Sequence, residues 1–247
     1  MELEQLIEPV SALARQAGDA ILAVYATDFA VQSKDDDSPL TQADLASHRV
    51  IMAGLAELTP ALPIISEESG LPEFAERQGW KEYWLIDPLD GTKEFVKRNG
   101  EFTVNIALIR ESRPVLGVVH VPVLDKTYTG CEGRGAARSQ GGDEPRPIRV
   151  RASASMPIRV VGSRSHQSDS VAAFLEAAGD TEMVPMGSSL KCCLVAEGKA
   201  DFYPRLGYTF EWDTAAAQAV VTAAGGHLTH LDGSPFEYNR KESLLNP

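Results

Sequence analysis

Cysteine is scarce: 3 of the 247 residues, at Cys131, Cys192 and Cys193. An odd count with two adjacent members does not make a disulfide framework and lacks the C-x-x-C spacing of a zinc site. A reducing compartment, the cytoplasm, is expected. Basic residues are also short, with 23 Lys and Arg against 35 Asp and Glu and a net charge of -12. That balance argues against gripping a nucleic-acid polymer, which needs a basic face. It leaves small phosphate compounds open, because bound cations invert the field of an acidic pocket. No apolar run reaches the roughly 18 residues of a membrane-spanning helix. The first 26 residues, MELEQLIEPVSALARQAGDAILAVYA, lack the basic and apolar regions of a signal peptide. Association with the inner face of the membrane stays open, without support from a basic helix face.

What is present is an ordinary globular mixture, 43% hydrophobic and 23% charged. The length suits one large domain or two lobes of roughly 100–150 residues. The expectation is a single domain over 1–247, with an N-terminal lobe to about 140 and a C-terminal lobe beyond it.

Leu3, Leu6, Ile7, Val10, Leu13, Ala14, Ala17, Ile21 and Val24 recur at helical spacing. Pro9 either marks the start of that helix or kinks its first turns. A polar loop, 33–39, leads to a second helix from Thr41 to about Leu58. Strands are predicted at 62–65, 83–86, 102–109 and 115–121, the last two as a hairpin. Residues 130–148, rich in Gly, Arg and Pro, read as a loop and lobe boundary. Beyond it come a strand at 158–161, helices at 168–178 and 188–197, a short strand at 201–203, and an Ala-rich helix from Asp213 stopped by Gly225-Gly226. The mixture predicts layered α/β sheets rather than a barrel.

The chemistry concentrates in carboxylates. An apolar strand runs into Asp87-Pro88-Leu89-Asp90-Gly91-Thr92. Proline fixes the turn, so both carboxylates and the Leu89 carbonyl can converge, while the Gly91 and Thr92 amides can cradle an anion. Hard oxygen ligands beside an anion cradle suit Mg²⁺ and phosphate. Glu67-Glu68 ends another strand and is either a solvated turn or a ligand source. Asp213 opens the Ala-rich helix and reads equally as an N-cap or as a ligand. Thr41-x-x-Asp44 matches a capping box.

Together these stretches resemble the lithium-sensitive, magnesium-dependent phosphatases of the inositol monophosphatase superfamily: Ser66-Glu67-Glu68, then Asp87 to Thr92, then Trp212-Asp213-Thr214-Ala215-Ala216. The order and spacing match, and almost the whole chain is covered. Within the superfamily, Lys93-Glu94-Phe95, the run Lys97 to Asn105, Ser163 to His166, Gly187 to Lys191 and Tyr203-Pro204-Arg205 resemble the bacterial 3'(2'),5'-bisphosphate nucleotidases. The resemblance implies an alternating α-β-α-β-α sandwich. It also implies hydrolysis of 3'-phosphoadenosine 5'-phosphate to AMP and phosphate, a clearance step in sulfate assimilation. Similar proteins continue past Leu245-Asn246-Pro247, so the expectation is a chain that either is truncated or lacks a final strand.

The resemblance assigns two or three Mg²⁺ ions to Glu67, Asp87, the Leu89 carbonyl, Asp90 and Asp213, in a two-metal clamp. Glu67 also counts among the catalytic residues. Thr92 and Asp44 become the pair that activates the attacking water. Glu67, Leu89, Asp90, Gly91, Thr92, His166, Ser188, Lys191, Arg205 and Asp213 contact the substrate. Lys191 and Arg205 would hold a phosphate, although either also reads as a surface cation, and His166 as a loop histidine. The rival readings are an inositol or fructose bisphosphate phosphatase of the same superfamily, and a catalytically silent metal or nucleotide sensor. The run Gly130 to Gly135 lacks the order of a dinucleotide loop and reads as a turn. Asp35 to Asp37 read as a solvated loop or, alternatively, as a mobile loop near a peripheral metal, and Cys192 and Cys193 as packed thiols.

Overall fold

The computed structural model describes residues 2–27, 39–162 and 169–246. The expected loop with Asp35–Asp37, and Ser163 to His166, lie outside the described residues. Helix α1, Leu3–Tyr25, carries Pro9 within it, since a proline in the second turn forfeits only one early backbone bond. Helix α2 is Pro39–Leu58. It begins two residues before Thr41, so Thr41 is inside the helix and the capping-box reading of Thr41 and Asp44 is corrected.

A seven-stranded sheet forms the centre. Its strands are β1, Ile64–Ser66; β2, Glu82–Asp90; β3, Thr103–Arg110; β4, Arg113–Val121; β5, Lys126–Cys131; β6, Gly135–Gln140; and β7, Arg146–Ile148. Neighbours in sequence are neighbours in space. β1 pairs parallel with β2, after the short helix α3, Phe74–Arg77, in their connection; every later pair is antiparallel. The 130–148 stretch is therefore not the expected loop: it supplies the end of β5 and all of β6 and β7. Its glycines make the hairpin corners, with Gly133 at φ 76° and Gly142 at φ 80°. The β3–β4 hairpin turns at Glu111 and Ser112, both at positive φ, as a tight two-residue turn demands.

Alternation sorts the strands into two faces. Trp84, Ile86, Val104, Ile106, Leu108, Leu116 and Val118 pack under α1 and α2. Tyr83, Leu85, Ala107, Ile109, Val119 and Val121 pack on the other side. There they meet two further helices, α6, Leu190–Ala196, and α7, Glu211–Ala223, reached after the five-residue α4, Thr92–Val96, and α5, Asp169–Ala178. A Cβ on Gly117 would lie 2.3 Å from the Ala216 carbonyl oxygen, and one on Gly130 only 2.4 Å from Val220 Cα. Those two glycines let α7 lie almost on the sheet.

Beyond α6, β8, Ile158–Gly162, and β9, Thr181–Pro185, pair in parallel through the crossover helix α5. Val161, Leu194 and Ala200 form a small core between that sheet and α6. The succession of layers is the expected α-β-α-β-α. The predicted strand at 201–203 reduces to a bridge between Phe202 and Val160. Leu245–Asn246, β11, pairs antiparallel with β10, Thr209–Phe210. No helix among the described residues is long and apolar enough to cross a membrane.

Candidate functional site

β2 runs on through Asp87 and Pro88 to Asp90, with an irregularity in its pairing to β3 between the two aspartates. Proline is tolerated at such a break because no ladder bond is asked of it. Locally the turn is pinned twice. The Leu89 N–H donates to Asp87 Oδ1 at 3.0 Å, and Ser47 Oγ of α2 donates to the Pro88 carbonyl at 2.7 Å. Asp87 shares the face of Tyr83 and Leu85, toward α7.

At the start of α7 stands Asp213, in the third position of the helix rather than at the expected N-cap. Its Oδ2 accepts the Phe210 N–H at 2.8 Å, so it caps from inside. Glu67 follows β1, the parallel neighbour of β2. Ligand oxygens of Glu67, Asp87 and Asp213 all lie within 4.8 Å of one another. Parallel pairing of β1 with β2 and the close seat of α7 bring together three carboxylates from distant parts of the chain.

The electrostatics follow from that convergence. Asp87 is buried, and its carboxyl group is held well above the ordinary aspartate range, first by burial and then by the charges of Asp90, Glu67, Asp213 and Asp44. Asp213 is pushed up to about 7 by burial and by Asp90, against the lowering effect of its bond from Phe210. Crowded carboxylates cannot all ionise without compensating charge. The donor set is all oxygen, which fits a hard divalent cation rather than a thiolate- or imidazole-seeking metal.

Asp90 is differently placed. Its Oδ2 accepts the Ser189 N–H at 2.5 Å and lies 3.4 Å from Thr103 Oγ1 and 3.5 Å from Asn105 Nδ2. Ser189 Oγ in turn donates to Asn105 Oδ1 at 2.9 Å. Sequence reading missed this polar cluster. Its signal was there, since Thr103 and Asn105 alternate on one face of an otherwise apolar strand.

Gly91, at φ 96°, precedes α4, and Thr92 is the first residue of that helix. A Cβ on Gly91 would meet Ser188 Cβ at 3.1 Å, so Gly91 and Ser188 lie against each other. Asp90, Gly91, Thr92, Ser188, Lys191, Arg205 and Asp213 all line one cleft of about 790 Å³. Lys191 is buried, its ammonium 5.4 Å from the Tyr203 ring centre, and burial lowers its pKa against the pull of Asp90. Arg205 is exposed and donates to the Tyr208 carbonyl at 2.8 Å. The rings of Phe174 and Phe202 stack 5.0 Å apart along the same cleft. Asp44 is buried on α2, close enough for its charge to act on Asp87. Leu89 is buried beside Asp87. His166 lies outside the described residues.

Known proteins match this architecture along its full length. The model of the inositol monophosphatase family matches residues 2–247. The 3'(2'),5'-bisphosphate nucleotidase CysQ of Salmonella typhimurium is 50% identical over 244 residues, 98% of this chain and 97% of that protein. The protein of the same name from Escherichia coli K12 is also 50% identical over the same shares. A crystal structure of CysQ from Bacteroides thetaiotaomicron, described as a bacterial member of the inositol monophosphatase family, superimposes with a TM-score of 0.86 at 42% identity, covering 97% of this chain and 94% of that one. With the family model spanning the chain and a solved relative sharing its fold, this protein belongs to the inositol monophosphatase family.

Proposed function

We propose that this chain is a Mg²⁺-dependent 3'(2'),5'-bisphosphate nucleotidase that converts 3'-phosphoadenosine 5'-phosphate and water into AMP and phosphate, clearing a by-product of sulfate assimilation in the cytoplasm. The observation that carries the reading is the meeting of Glu67 and Asp87 with Asp213, which itself lines a cleft together with Asp90, Lys191 and Arg205. Half-identical relatives named for that activity support it.

Glu67, Asp87 and Asp213 would hold Mg²⁺, with Asp90 and the Leu89 carbonyl completing the ligands. When bound, Mg²⁺ supplies charge to offset that of the transferring phosphoryl group and lowers the pKa of water. The chain's own residues then do the positioning that phosphoryl transfer mainly needs. Thr92 orients the attacking water; as the water's proton passes to the Thr92 hydroxyl, the hydroxyl's own proton passes to the Asp44 carboxylate. The Gly91 and Thr92 amides face the phosphate. Lys191 and Arg205 hold the second phosphate, Arg205 with a planar fork suited to two oxygens. Ser188 and His166 complete the contacts to the nucleotide. The Phe174–Phe202 stack offers apolar surface of the kind a nucleobase takes and an inositol or sugar phosphate does not.

The test is phosphate release from 3'-phosphoadenosine 5'-phosphate, inositol 1-phosphate, fructose 1,6-bisphosphate and AMP, with Mg²⁺ and then with chelator. Strong preference for the bisphosphate nucleotide, abolished by chelator, is expected. Preference for inositol 1-phosphate or the sugar bisphosphate would overturn the substrate assignment. Absence of turnover on all four would favour a sensor.

A further inference from the structure

Behind the carboxylate cluster lies a buried polar assembly that the proposed chemistry does not use. The guanidinium of Arg77, at the end of α3, is fully enclosed at 0% exposure. Its Nε donates to the Pro72 carbonyl at 3.2 Å, Nη1 to Asn239 Oδ1 and the Lys241 carbonyl, and Nη2 to the Glu242 carbonyl. Asn239 Nδ2 returns a bond to the Arg77 carbonyl at 2.5 Å, and the Asn239 N–H donates to Glu211 Oε2 at 2.8 Å. Glu211 is the first residue of α7, two before Asp213, and its own N–H donates to the Leu244 carbonyl at 2.9 Å. Glu211 is 1% exposed. Its Oε1 and the nearby Tyr83 hydroxyl have no hydrogen-bond partner among the described residues.

A buried arginine and glutamate are a poor route to stability, because desolvation offsets most of what their attraction returns. Here, though, the assembly spans the two segments that must meet at the cluster. Arg77 closes the stretch that begins at Glu67. Glu211 opens the helix that carries Asp213. Asn239 bonds to both.

We propose that Arg77, Asn239 and Glu211 form a brace that sets the spacing of Glu67 and Asp213, and so the affinity for a divalent cation. They are positioning residues, and the inference rests on the metal reading above. Partners that orient metal ligands from behind typically change metal affinity about 10- to 100-fold when removed.

Asn239 has φ 58°, so glycine is the substitution that removes its side chain without adding backbone strain. Calorimetric titration of the full chain with Mg²⁺ is expected to show Asn239→Gly binding about tenfold or more weakly than wild type. Its kcat recovers at saturating Mg²⁺. Val10→Ala, which opens a cavity under α1 on the opposite face of the sheet, lowers Tm but binds Mg²⁺ as wild type does. Glu211→Gln keeps one acceptor oxygen for the Asn239 N–H, removes the charge, and carries the test if Asn239→Gly fails to fold; weaker binding is expected there too. Wild-type affinity in both variants, despite a lower Tm, would overturn the brace alone. No Mg²⁺ binding by wild type would overturn the metal reading and the brace with it.

Discussion

The two faces of the central sheet are built from different materials. Under α1 and α2 the contacts are large: Trp84, Phe95, Phe102, Leu108 and Leu116 against Leu6, Val10, Leu13 and Ile21. On the other face Tyr83, Leu85 and Ile109 are also enclosed, but where α7 comes nearest the sheet the contacts are small: Gly117 and Gly130 against Ala215, Ala216, Ala219 and Val220 on the helix. Bulky side chains bury more apolar area per residue, about 1.5–3 kcal/mol for each Leu, Ile or Phe enclosed. Small ones forgo some of that stabilisation and bring two backbones together. The first face chiefly supplies stability. The second sets how near the first turn of α7 comes to the end of β2, which is the distance between Asp213 and Asp87.

Substitutions on the two faces should therefore part company. The largest effect is expected from Asp87→Asn on the α7 side. Turnover falls by about two to three orders of magnitude, as for loss of one preorganised electrostatic group. The Tm in chelator holds or rises, since a buried charge conflict has been removed. Leu116→Ala on the α1 side costs about 2–5 kcal/mol in denaturant unfolding, with kcat per folded molecule unchanged. Gly117→Ala costs less, about 1–3 kcal/mol from overpacking, yet it raises the Mg²⁺ needed for half-maximal rate because α7 must lift. An unchanged Mg²⁺ requirement there would refute the division of labour.

A pH comparison sharpens the same point. Asp213 has its carboxyl group raised from 3.8 to about 7. Between those values the folded state holds a proton the unfolded state has lost, so this group's stabilisation is complete below 3.8 and disappears as pH rises through 7. In chelator, the Tm gap between wild type and Asp213→Asn should widen in favour of the variant from pH 4 to 7.5, and Mg²⁺ should close it. The smallest effect belongs to Glu82→Ala. It removes the half-exposed pair with Arg110, 2.7 Å long, and should cost under about 1 kcal/mol in denaturant unfolding.

Much of this division was legible in the residues. Periodic apolar spacing predicts α1, and unbroken apolar runs predict β2, β3 and β4, because those elements bury at least one face. The strands β6 and β7 escape such reading: Arg138, Gln140 and Arg146 leave no clean alternation on the last two strands of the sheet, which are largely open to water. The carboxylate motifs were visible because each follows a strand or opens a helix. Their grouping was not equally visible. Nothing in the sequence says that Asp90 engages the Ser189 amide while Glu67, Asp87 and Asp213 converge. The Arg77–Asn239 pairing spans 162 positions, a separation that local pattern cannot bridge.

The hydrogen bond from the Phe210 amide to Asp213 has a further consequence. A free aspartate side chain samples several rotamers and loses that freedom when it takes a ligand. One oxygen of Asp213 is already tied to its own helix terminus, so folding has selected the rotamer before any cation arrives. The entropy of ordering that side chain is thus charged to the folding of α7 rather than to binding, and the affinity of the site inherits the rigidity of a helix end.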